Sequence, residues 1–185
     1  DCALWDLEAK LAGKRVWELA GLAAPEAVET CYTLSLAAPD QMRAAAARHA
    51  HRPVLKIKLG TPDDLPRLEA VRAGAPASKI VVDANEGWDA AQFVEFIPHL
   101  QRLGVVLVEQ PLAAGADEAL RDIARAVPVC ADESCHTRDG LAGLVGKYDM
   151  GNIKLDKTGG LTEALALRGA ARGVGLRGMV GCMVG

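Results

Sequence analysis

Seven short runs rich in β-branched and apolar residues recur along the chain, at 31–36, 54–59, 80–85, 105–110, 127–132, 152–155 and 176–182, with starts 22 to 26 residues apart. That interval holds one strand, one turn and one helix, and little more. The stretches between have helical patterning: Pro39 to Ala50, Leu65 to Ala73, Ala90 to Leu103, Ala116 to Ala126, Arg138 to Val145 and Leu161 to Arg172. Several open on a capping or turn residue such as Asp40, Asp89 or Thr137. A further helix is expected from about residue 2 to 20. The chain is therefore a series of βα units, and no linker or low-complexity tract interrupts it.

Serial βα units close into a (β/α)8 barrel or spread into an open doubly wound sheet. An open sheet gathers its chemistry at one switch point, commonly behind a glycine-rich first turn. No such turn follows an early strand here. Instead strands two to six each end in charge: Lys56 and Lys58, Asp83, Glu109, Asp132 and Lys154. Side chains at the C-terminal ends of successive barrel strands converge on one mouth. The expected fold is thus α/β, a TIM-type barrel with seven of its strands present and the eighth missing.

Composition narrows the partners. At 185 residues, 50% hydrophobic and 24% charged, the chain is a globular core former. Its net charge of −3 supplies no basic field for nucleic acid, and no run approaches the roughly 18 apolar residues of a membrane span. Cys2, Cys31, Cys130, Cys135 and Cys182 are odd in number and scattered, which suits reduced thiols in the cytoplasm. Cys130 and Cys182 are expected as small apolar fillers of the barrel interior. Aromatics are only 4%, so Ala, Val, Leu and Ile build the core. Asp1 falls within a helical pattern, there is no signal peptide, and Gly185 ends a strand-like run, so a piece of a longer chain is expected. An uncapped seven-stranded barrel has two unpaired edges and an open mouth, and is expected to be a weak catalyst alone.

Asp83, Glu109 and Asp132 lie 26 and 23 residues apart, one per consecutive unit. Taken singly, each could cap a helix or pair with a surface lysine. In series they face one another across a short distance, and without a cation they repel. Three hard oxygen donors with no His or Cys in register describe a Mg²⁺ site rather than a zinc site. Lys56 and Lys58 share one strand face, and two ammonium groups there would lower each other's pKa toward that of a general base. Lys58, nearer the strand end, is the expected base and Lys56 its auxiliary cation. Alternation places Lys154 and Asp156 on one face of strand six and Lys157 on the other. Strand six faces strand two across an eight-stranded barrel, so Lys154 approaches a bound carbon from the side opposite Lys58. Two lysines flanking one carbon beside a metal suit proton transfer next to a carboxylate, a logic already known for sites with a Lys base and Mg²⁺. A Schiff-base aldolase could also use a strand-six lysine but has no need of three carboxylates. His136 is expected as a capping or surface residue, and Gly159-Gly160 as a tight turn.

Lys56-Ile57-Lys58, Asp83-Ala84-Asn85, Val108-Glu109-Gln110-Pro111, Ala131-Asp132-Glu133-Ser134 and Asn152-Ile153-Lys154 resemble the strand-end motifs of the enolase superfamily, muconate-lactonizing subgroup. The resemblance implies a modified (β/α)7β barrel, with Lys58 and Lys154 as acid/base pair and Asp83, Glu109 and Asp132 as Mg²⁺ ligands. It also implies that residues 1–25 connect an N-terminal capping domain to a barrel over 26–185. More narrowly, the stretches 130–137, 153–164 and 179–183 are similar to dipeptide epimerases that interconvert L-Ala-D-Glu and L-Ala-L-Glu. Tyr32-Thr33-Leu34-Ser35 is also similar, which puts Thr33 beside a dipeptide substrate. A homo-oligomer is compatible with this picture. On the same scaffold, o-succinylbenzoate synthase, N-acylamino acid racemase and cycloisomerase remain alternatives.

Overall fold

The computed structural model describes residues 1–183. Seven strands run in the order β1 to β7, each parallel to the next: β1 Tyr32–Leu34, β2 Val54–Lys58, β3 Lys79–Asp83, β4 Val105–Glu109, β5 Val129–Ala131, β6 Met150–Ile153 and β7 Arg177–Val180. The sheet curls into an incomplete TIM-type barrel. The helices are α1 Cys2–Ala12, α2 Val16–Leu19, α3 Pro39–Arg48, α4 Asp64–Gly74, α5 Ala90–Arg102, α6 Leu155–Thr158 and α7 Leu161–Gly173. No helix among the described residues is long and apolar enough to cross a membrane.

Strand alternation sorts side chains into two apolar layers. Leu55, Ile57, Ile80, Val82, Val105 and Val108 point outward and pack with Met42, Leu68, Val71, Phe93 and Leu100 of the helices. Val81, Leu107 and Cys130 point inward, joined by Val54, Met150 and Met179, and floor the barrel. One step further along each strand, the inward positions are Lys56, Asp83, Glu109, Asp132 and Asn152. An apolar plug thus lies beneath a polar mouth. Burying each aliphatic side chain contributes about 1.5–3 kcal/mol, so this plug holds the strands together where the polar layer cannot.

Three expected helices come out differently. The helix over 2–20 breaks at Gly13, whose φ of 63° ends α1 in a left-handed cap. Between β4 and β5 only a 3-10 turn forms, at Glu118–Arg121. There the Asp117 carboxylate is drawn inward by Tyr148, Ser134 and Lys147, and Pro128 disfavours helix just before β5. Between β5 and β6, Gly140, Gly143 and Gly146 weaken helix, and a 3-10 turn spans Arg138–Gly143. Strand six also ends early: the chain leaves β6 at Ile153 and turns into α6. Strand parity therefore does not govern Asp156 and Lys157.

Gly60, just past β2, has φ 123° and lies against Ala84 and Gly87 of the β3 loop. A Cβ there would overlap the Ala84 carbonyl oxygen and impose a backbone conformation that L residues avoid. Gly60→Ala is expected to cost on the order of 1–3 kcal/mol or more, read as a lower urea midpoint at unchanged slope.

Candidate active site and metal centre

The register of the parallel ladder builds the site. Lys58 is the partner of Asp83, Asp83 of Glu109, and Glu109 of Cys130, two residues before Asp132. One carboxylate oxygen from each of Asp83, Glu109 and Asp132 lies within 4.8 Å of the others. All three side chains are buried. Asp83 Oδ2 pairs with Lys56 Nζ at 2.8 Å and accepts a hydrogen bond from Lys58 Nζ at 2.7 Å. Glu109 Oε1 accepts from Asn152 Nδ2 at 2.9 Å. Asp132 spends both oxygens on lysines, Oδ2 on Lys154 and Oδ1 on Lys157, each at 2.6 Å.

Burial and charge pull in opposite directions on these groups. Burial alone would lower Lys56, but the Glu109 and Asp83 carboxylates outweigh it and raise its pKa above the ordinary lysine range. Of the mutual lowering expected for Lys56 and Lys58, Lys56 shows the reverse: two carboxylates touch its ammonium, and attraction outweighs repulsion. Burial, then the Asp83 charge, raises Glu109, against the pull of Lys56 and Asn152. Asp132 is held below its ordinary value because Lys154 and Lys157 overcome its burial. Glu109 Oε2 is buried without a hydrogen bond; Lys56 Nζ sits 2.6 Å away as an ion pair outside hydrogen-bond alignment. A converging set of hard oxygens, one with an orphaned lone pair, fits a divalent cation.

Lys58, Asn85, Asp132, Glu133, His136, Lys154, Lys157, Cys182 and Met183 line a cleft of about 360 Å³ above the carboxylates. Both expected acid/base lysines thus border one space. Lys58 is held by Asp83 and by Asn85 Oδ1 at 2.8 Å, and Lys154 by Asp132. Thr33 pairs in register with Lys56, one strand over, and is not among the residues lining the cleft. His136 is exposed at the rim, its Nε2 2.9 Å from the Glu133 carbonyl oxygen. Cys130 is buried in the barrel floor, whereas Cys182 is exposed and borders the cleft, which corrects its expected place as an interior filler. Sequence reasoning gives Lys157, Asn152 and Asn85 no role in the site. Lys157 turns back because α6 begins at Leu155, and it reaches the Asp132 carbonyl oxygen, Asp132 Oδ1 and the Asn152 carbonyl oxygen. Asn152 was within reach of strand periodicity, lying two residues before Lys154.

The pattern of the family described as "Enolase C-terminal domain-like" matches residues 38–185. The chain belongs to that family. L-Ala-D/L-Glu epimerase of Escherichia coli (strain K12) is 46% identical over 186 residues, covering 100% of this chain and 58% of the relative. N-acetyl-D-glutamate racemase of a Pseudoalteromonas species is 45% identical with the same coverage. A crystal structure of an enolase family member from Agrobacterium tumefaciens, with bound sodium and L-Ala-L-Glu, matches with TM-score 0.96 at 53% identity, over 100% of this chain and 57% of that one. Dipeptide epimerase from Cytophaga hutchinsonii, complexed with Mg and D-Ala-L-Val, matches with TM-score 0.91 at 29% identity, over 98% and 52% of the two chains. The chain spans 58% of the length of the first two relatives.

Lys56 is the cation that holds Asp83 and Glu109 together. Lys56→Met removes it and leaves two buried carboxylates in contact, an expected loss of about 3–5 kcal/mol in urea unfolding at neutral pH. Added divalent cation is expected to return part of that loss, and Glu109→Gln in the same chain most of it.

Proposed function

We propose that the full-length protein is a Mg²⁺-dependent isomerase of the cytoplasm that epimerises the α-carbon of an N-acylated glutamate, the dipeptide L-Ala-D/L-Glu. The observation that carries this reading is the placement of Lys58 and Lys154 on one cleft with Asp83, Glu109 and Asp132 beneath it. Asp83, Glu109 and Asp132 would hold the Mg²⁺, whose charge supplies the electrostatic stabilisation that makes a proton next to a carboxylate removable. The cysteine-poor, hard-oxygen donor set supports Mg²⁺, as does the Mg in the Cytophaga hutchinsonii relative's structure.

Lys58 and Lys154 do the proton work. One lysine, neutral, takes the α-proton through its free electron pair, and the α-carbon's bonding electrons pass into the adjacent carboxylate as an enediolate. The other lysine, as ammonium, returns a proton to the opposite face, and the two lysines finish with their protonation states exchanged. Asp83 and Asn85 aim Lys58, and Asp132 aims Lys154, so neither base has to search for its geometry. Thr33 is the proposed substrate-side hydroxyl on β1, and the segment 1–25 the proposed link to a capping domain that helps to choose the dipeptide.

Charge balance supports an acidic substrate. Lys56, Lys58, Lys154 and Lys157 offset Asp83, Glu109, Asp132 and Glu133, so the cleft is near neutral before a dication enters. The added charge of such an ion favours a substrate that carries two carboxylates, such as an N-acyl glutamate. That feature is shared by L-Ala-Glu and N-acetylglutamate, and the Pseudoalteromonas relative, an N-acetyl-D-glutamate racemase, makes the second substrate a specific alternative.

Proton NMR in D₂O with Mg²⁺ tests the reading on the full-length protein. Loss of the Glu α-proton signal with growth of the second diastereomer is expected for L-Ala-L-Glu. Lys58→Ala and Lys154→Ala are each expected to slow epimerisation by about 10²–10⁴-fold. Faster turnover of N-acetylglutamate would move the substrate to the alternative, and no exchange with either would overturn the isomerase reading.

A further inference from the structure

Behind the candidate metal ligands, away from the cleft, lies a second polar cluster that the proton-transfer chemistry does not use. Asp117 is 2% exposed and receives three donors. Tyr148 Oη donates to its Oδ2 at 2.6 Å, Ser134 Oγ to the same oxygen at 2.7 Å, and Lys147 Nζ to its Oδ1 at 2.6 Å. These donors outweigh burial and hold Asp117 below its ordinary pKa. An ionised carboxylate only accepts, so both hydroxyl hydrogens point at Asp117.

That commitment decides which atom of Gln110 the two hydroxyls can meet. With their hydrogens spent, Ser134 Oγ and Tyr148 Oη, themselves 3.2 Å apart, present lone pairs to Gln110 Nε2, 2.9 Å from each. The Leu112 carbonyl oxygen accepts from the same nitrogen at 2.8 Å. Gln110 Oε1 must then face the other way, where it accepts from the backbone N–H of Asp132 at 2.8 Å and of Ser134 at 3.1 Å. A flipped amide would set an NH₂ group against two N–H donors, with each left unsatisfied at a cost of about 1–3 kcal/mol. Burying a Lys147–Asp117 pair gains little stability over an apolar pair of the same size.

We propose that Asp117 is a positioning residue that, through Ser134, Tyr148 and the Gln110 side-chain amide, fixes the Asp132 main chain and so the placement of the Asp132 carboxylate. The functional consequence rests on the proposed role of Asp132 as a cation ligand; the main-chain consequence does not. In the full-length protein, Asp117→Asn keeps the shape but introduces a donor that can turn either hydroxyl around. Two readouts are expected to move. Hydrogen–deuterium exchange at the Asp132 and Ser134 amides of ion-free protein rises at least about tenfold, and the Mg²⁺ dissociation constant, from calorimetric titration without substrate, rises about 10–100-fold. Tyr148→Phe moves both in the same direction and carries the test if Asp117→Asn does not fold. Leu120→Ala, a fully buried residue of the same turn, lowers the melting temperature but leaves Mg²⁺ affinity within about twofold. Unchanged exchange at Asp132 in Asp117→Asn and Tyr148→Phe would overturn the inference. Wild-type protein that binds no Mg²⁺ would instead overturn the metal reading, and amide exchange would still decide the role of Asp117.

Discussion

Like charges at the ends of β3, β4 and β5 repel, and burial removes the water that would screen them. The three carboxylates are nonetheless held within 4.8 Å of one another, and much of the mouth is arranged around that cost. Lys56 bridges the first two, Lys154 and Lys157 clasp the third, and Asn152 satisfies the outer oxygen of Glu109. Even so, burial and the neighbouring Asp83 leave Glu109 easier to protonate than an ordinary glutamate. Lysines relieve that repulsion, and a cation in the cluster would relieve it most directly.

Such a mouth cannot hold a sheet together, which is why the layer beneath it matters. Val81, Leu107 and Cys130 lie one inward position below Asp83, Glu109 and Asp132. That two-residue period lets one strand supply both an apolar floor and a polar ligand without changing face. The register shift between β3 and β4 serves the same end. It falls at Ile80/Val81, leaves Val106 44% exposed, and restores in-register pairing from Val81 with Leu107 to Asp83 with Glu109.

Strand number, order and the charged strand ends were legible because they depend on local spacing and a fixed period. Lys56, Lys58, Asp83, Glu109, Asp132 and Lys154 all meet at the mouth for that reason. The β4–β5 and β5–β6 connections were not legible, because their helical patterning competes with tertiary demands. Asp117 abandons a helix to accept three distant donors, and glycines decide the second connection. Lys157 escaped for a related reason: its place depends on where β6 stops, and the last residue of a strand is the least sharply defined by local pattern. The polarity of the Gln110 cluster involves residues up to 38 apart in the chain and has no period to betray it.

Backbone strain sits in the same places. Asn85, Glu86 and Gln110 have φ of 43°, 66° and 36°, and follow within three residues of two of the proposed ligands. Each such residue costs on the order of 1–3 kcal/mol, and glycine would remove the cost. Glycine would also remove what these side chains do. Asn85 accepts from Lys58 and donates to Glu133, Glu86 accepts from the Ala114 N–H, and Gln110 orients the Asp132 main chain. The sharp turn is needed to end each strand at the carboxylate, and at Asn85 and Gln110 the side chain is needed to hold the neighbouring strand's base or ligand. Only a residue that is both strained and polar meets both demands, so the strain here belongs to the architecture of the site rather than to imperfect packing.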